Sequence, residues 1–103
     1  MRPTSVTVTN AETSAWIPVD YTKTAFNLGV MVDVTSGTPT WVVQITMDDV
    51  FDPTVTATAV AAPAPLETGT TDEVGKIDVP CRAVRITQSG TGVSKMTVIQ
   101  GRD

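Results

Sequence analysis

Phe26-Asn27-Leu28-Gly29-Val30-Met31-Val32-Asp33-Val34, followed after Thr35-Ser36-Gly37-Thr38-Pro39-Thr40 by Trp41-Val42-Val43-Gln44-Ile45-Thr46-Met47, is the stretch on which the fold turns. Phe26, Leu28, Val30, Val32 and Val34 recur with a period of two, as do Trp41, Val43, Ile45 and Met47. That period sends alternate side chains to opposite faces of an extended chain, so each segment reads as a strand with one apolar face. The Thr35–Thr40 run carries turn chemistry, and the two segments read as a β-hairpin whose inward faces begin at Phe26 and Trp41.

Outward from this pair the chain keeps the same texture. Ser5 to Thr9 alternates Val6 and Val8 with small polar residues, as an edge strand would. Asn10 to Thr13 is a polar gap, Trp16-Ile17-Pro18-Val19 a short run that Pro18 confines to an edge or a strand start, and Tyr21 to Thr24 a lead into the central pair. On the other side, Asp48-Asp49-Val50-Phe51-Asp52-Pro53 leads to an alternating candidate at Val55 to Val60. Ala61-Ala62-Pro63-Ala64-Pro65 then breaks any strand and opens a polar stretch through Asp72 and Glu73. A loop that long, near 61–74, is the expected place for a segment ordered by a partner. Lys76 to Val79, Arg82 to Gln88 and Lys95 to Gln100 read as closing strands, the last two joined by a hairpin turn at Ser89-Gly90-Thr91-Gly92. About eight short strands and no segment of helical period imply an all-β fold. The expected architecture is a single domain over residues 1–103, an antiparallel β-sandwich of jelly-roll type.

Composition agrees. Charged residues are 17 % of the chain, below the roughly 25 % usual for soluble domains, and roughly one residue in three is threonine or valine. β-Branched side chains lose rotamer freedom in a helix and pack well on a pleated surface. A net charge of −4 argues against a nucleic-acid backbone as partner, because phosphate contacts need clustered cations. Arg2, Lys23, Lys76, Arg82, Arg85, Lys95 and Arg102 are scattered and read as solvated strand-face charges, although Arg82 and Arg85 could meet beside another strand. No apolar run reaches the roughly 20 residues of a membrane span, and Met1 to Val6 does not read as a signal peptide, so a soluble chain with no membrane partner is expected.

No catalytic constellation emerges, and no enzyme activity or cofactor is expected. The chain has no histidine, the usual base for serine or cysteine nucleophiles and the commonest zinc ligand. Cys81 is the only cysteine, so no intrachain disulfide forms, and it reads as a small buried hydrophobe more than a reactive thiol. Asp48, Asp49 and Asp52 crowd together but lack the spacing of a calcium loop and read as turn builders before Pro53. Gly90-Thr91-Gly92 lacks the third glycine of a dinucleotide loop. Among the aromatics, Phe26 and Trp41 belong to the core, while Trp16 and Phe51 remain as interface anchors.

Thr40-Trp41-Val42-Val43-Gln44-Ile45-Thr46-Met47-Asp48-Asp49, Pro80-Cys81-Arg82-Ala83-Val84-Arg85-Ile86 and Met96-Thr97-Val98-Ile99-Gln100 together resemble the small capsid cement or decoration proteins of tailed bacteriophages. Val50 to Gly75 carries no part of that resemblance. The resemblance implies a protein made in the host cytoplasm and seated on the capsid exterior, with the major capsid protein as partner. It would cement neighbouring coat subunits as a dimer or trimer. The expected interface positions are Val6, Val8, Trp16, Phe51, Pro63, Pro65, Leu66, Arg82 and Arg85. Two other readings stand beside it: a tail or head-to-tail connector component, and a carbohydrate-binding β-sandwich module.

Overall fold

A computed structural model describes residues 3–22 and 26–100. Lys23 and Thr24 of the expected lead into the central pair, and the cations Arg2 and Arg102, lie outside them. The strands are β1 (Thr4–Thr9), β2 (Ile17–Pro18), β3 (Leu28–Gly37), β4 (Thr40–Thr46), β5 (Val60–Ala61), β6 (Glu73–Ile77), β7 (Ala83–Ser89) and β8 (Gly92–Gln100). They form two antiparallel four-stranded sheets, ordered β1-β8-β3-β6 and β2-β7-β4-β5.

This order has a simple generator. β1 pairs with β8, β2 with β7, β3 with β6 and β4 with β5, as in one long antiparallel hairpin whose tip lies between β4 and β5. Rolling that hairpin up brings β8 against β3 and β7 against β4, which closes the two sheets over each other. The result is the expected jelly-roll sandwich. The alternation read from the sequence fills its interior: Leu28, Val30 and Val32 of β3, Trp41 and Val43 of β4, Ile86 of β7, and Met96 and Val98 of β8 are all at most 1 % exposed. Each such side chain is worth roughly 1.5–3 kcal/mol of burial, which makes this row the main source of stability.

The two expected hairpins are corrected by the roll. β3 and β4 lie in opposite sheets, and so do β7 and β8. A hairpin would set the two apolar faces side by side in one sheet. Turning the chain through a corner sets them face to face, where each buries the other. The two corners stack: the Thr38 amide donates to the Thr91 carbonyl at 3.1 Å, and Gly37 pairs with Gly92. The backbones pass so closely that a β-carbon on Gly37, which has φ 73°, would lie 2.4 Å from the Thr91 carbonyl oxygen.

The region after β4 is also corrected. Val55 to Ala59 forms no strand, and β5 is only Val60–Ala61. The expected partner-ordered loop is instead held by its own chain. The Val43 amide donates to the Leu66 carbonyl at 3.1 Å, the Ala62 amide to the Val43 carbonyl at 2.8 Å, and Trp41 and Gly69 exchange both backbone bonds at 2.9 Å. The expected strand at Lys76 to Val79 begins earlier, at Glu73, and ends at Ile77.

Candidate interaction surface

Along β7 the side chains of Val84 and Ile86 point into the core, so Arg85 must point out. Continuing the β2–β7 register of Ile17 with Val84 by one position sets Trp16 opposite Arg85. The Arg85 guanidinium lies 4.4 Å from the Trp16 ring centroid, and its Nε donates to Gln44 Oε1 on the neighbouring β4 at 2.8 Å. A cation over an indole face is worth roughly 0.5–1 kcal/mol at an exposed site, and here it also fixes the ring.

Three residues back, Arg82 stands at the mouth of a cavity of about 290 Å³ lined by Pro18, Val19, Tyr21, Asp49, Val50 and Phe51. Its guanidinium lies 4.9 Å from the Tyr21 ring centroid, Nη2 donates to the Tyr21 hydroxyl at 3.3 Å, and Nη1 is 3.7 Å from Asp49 Oδ2. Phe51, 77 % exposed, forms one wall. It is held there because Asp49 Oδ1 accepts the Phe51 amide at 2.9 Å. The other two aspartates of the trio also serve turns. Asp48 Oδ2 accepts the Thr58 amide, and Asp52 Oδ1 accepts the amide and hydroxyl of Thr54, whose hydroxyl holds the Asp52 carboxyl below its usual range. Aromatic walls with an arginine at the rim are the composition of protein-binding hot spots.

A second surface occupies the outer face of the other sheet. Met31, Val74 and Ile99 are 42 %, 69 % and 48 % exposed. Register sets Met31 opposite Val74 and Ile99 opposite Gly29, so the three surround a dent floored by glycine, about 220 Å³ in volume. Lys76 and Lys95 belong to this sheet, whereas Arg85 lies on the other sheet and Arg82 just before its strand β7, so the described cations do not meet in one patch.

Of the sequence-derived positions, the structure gathers Trp16 with Arg85, and Phe51 with Arg82. Val8 and Leu66 are wholly buried, so neither offers a surface contact, and Val6 is half-buried against the core. They fail as anchors because inward alternation in β1, and hydrogen bonding of the 62–69 segment to β4, use their side chains inside. Pro63 and Pro65 are exposed. Sequence reasoning missed Tyr21, Met31, Val74 and Ile99. Met31 had a signal, since it is the lone large apolar residue on the face shared by Asn27, Gly29 and Asp33. Cys81 is 1 % exposed, and burial pushes its thiol up to about 11. No protein-family model matches the chain, and no curated protein matches it either.

Proposed function

We propose that this chain is a non-enzymatic structural protein of a phage virion, which binds the outside of the capsid and cements neighbouring coat subunits. One observation carries this reading: two separate aromatic or apolar surfaces are exposed, one on each sheet of the sandwich. The first is the Trp16–Arg85 and Arg82–Phe51 surface, and the second is the Met31–Val74–Ile99 patch. A protein that grips a single ligand needs one such surface, whereas a bridge between subunits needs two. Low charge density suits the role, since a buried charge requires a partner and a threonine hydroxyl requires one hydrogen bond. Repetition on a shell supplies avidity, so each contact can be weak.

Support also comes from where the resemblance falls. Its three segments fall on β4, on the start of β7 with Arg82 just before it, and on the end of β8, so they supply Arg82 and Arg85 to the first surface and Ile99 to the second. A tail or connector role uses the same bivalence and differs in symmetry, a larger ring in place of a local dimer or trimer. The sugar-binding reading is weaker, because it needs an exposed aromatic pair, and of Trp16, Phe26, Trp41 and Phe51 the second and third are buried in the core and Trp16 already carries the Arg85 guanidinium.

The test is co-sedimentation of the purified protein with expanded capsids and with unexpanded precursor shells, scored by copy number and by heat resistance of the shell. Saturation at a fixed number per coat subunit with added heat resistance is the expected result. Binding to neither shell overturns it and moves the assignment to tail components.

A further inference from the structure

We propose that the open edge of β6 pairs with β6 of a second copy of this chain, antiparallel and centred on Val74, joining two four-stranded sheets into one of eight. This does not depend on the shell reading.

β6 is an edge strand, bonded to β3 alone among the described strands. The direction of its free groups follows from β3. The Val34 amide points toward β6, where it donates to Asp72 Oδ1 at 2.7 Å. Antiparallel alternation then turns the backbone groups of Val30 and Val32 toward β6 and those of Met31 toward β8. Gly75 and Glu73, which oppose Val30 and Val32, therefore face β3, while Val74 and Lys76 turn their N–H and C=O groups outward. Such a row is a template for another strand unless something blocks it.

The register follows from the side chains. In a sheet continued across a two-fold axis, opposed residues share a face, so Val74 and Lys76 can oppose only even-numbered positions. Centring on Gly75 sets Val74 against Lys76 of the second copy, and centring on Lys76 sets two lysines together. Centring on Val74 sets Val74 against its twin and Lys76 against Asp72 on both sides. Only this register joins apolar to apolar and cation to carboxylate. It also lines up Met31 and Val74 of both copies as one apolar row on the outer face. The opposite edge strand, β1, lacks these features: its outward row is Ser5, Thr7 and Thr9, and the Ser5 hydroxyl is already bonded to that of Thr97 at 3.0 Å.

One short strand per copy makes a small interface, so dimer and monomer exchange with concentration. Sedimentation velocity of the full chain over a dilution series is the test. The wild type is expected to shift from dimer to monomer on dilution, and Val74→Lys to stay monomeric throughout with an unchanged melting temperature. In a Cys81→Ala background, Val74→Cys is expected to cross-link to a covalent dimer under diamide, because a residue on the axis opposes itself, while Lys76→Cys does not. A wild type that is monomeric at every concentration overturns the proposal. So does dimerisation of Val74→Lys at wild-type strength, or cross-linking at position 76 in place of 74. Shell binding is measured separately, so either proposal can fail alone.

Discussion

Gly69 lies flat against the indole of Trp41, so close that a β-carbon on it would stand 2.3 Å from Cζ2. Trp41 is fully buried, its Nε1 donates to the Thr71 carbonyl at 3.0 Å, and it exchanges backbone bonds with Gly69. The tryptophan thereby fastens the 62–71 segment to β4. Gly69→Ala is expected to force the ring or the segment aside and to cost about 1–3 kcal/mol, the range for overpacking a well-filled site. At roughly 4–8 °C per kcal/mol for a domain near this size, a thermal melt resolves it. An unchanged melting temperature would show that the segment moves freely over the indole.

Gln88, the partner of Trp41 across the β4–β7 ladder, holds the neighbouring turn. Its Nε2 donates to the carbonyls of Asn10 and Gly92 at 2.8 and 2.9 Å, tying the turn after β1 to the start of β8 from inside the protein. Gln88→Leu keeps the size and removes the donor. The expected loss is about 1–3 kcal/mol, seen as a lower urea midpoint at unchanged slope.

The Arg85 guanidinium shields the partly exposed Trp16, whereas Trp41 is fully buried. Arg85→Ala is expected to increase acrylamide quenching of the more accessible tryptophan and shift its emission to the red, with stability changed by less than about 1 kcal/mol. Arg85→Lys should restore only part of the shielding, since a lysine lacks the planar group that stacks. Quenching that stays at the wild-type level in Arg85→Ala would mean that other residues cover the ring.

Cys81 sets a pH dependence. Burial raises its thiol from 9.0 to about 11, so the folded chain holds that proton more tightly than the unfolded chain does. The contribution is therefore fully present below pH 9 and is lost as pH rises toward 11. A shift of this size corresponds to about 3 kcal/mol. Cys81→Ala should flatten the fall in unfolding free energy between those limits, measured by urea titration at a series of pH values. An identical slope in both proteins would show that another group governs the alkaline limb.

Sequence alone determined the inward rows of β3 and β4. The period of two in Leu28 to Val32 and Trp41 to Ile45 names side chains that any sheet must bury, because alternation is a property of the extended backbone itself. It marked Trp16 and Phe51 as candidate anchors, and it determined that the aspartates build turns. Tertiary structure alone decided the pairing. Turn residues at Thr35–Thr40 and Ser89–Gly92 say that the chain reverses, yet whether it reverses within a sheet or across to the facing one depends on where two apolar faces find each other. The same dependence on distant partners hid the role of 62–71, whose hydrogen bonds go to β4. It also hid the Met31–Val74–Ile99 patch, whose members come from three strands far apart in the chain and meet only because β3 lies between β6 and β8.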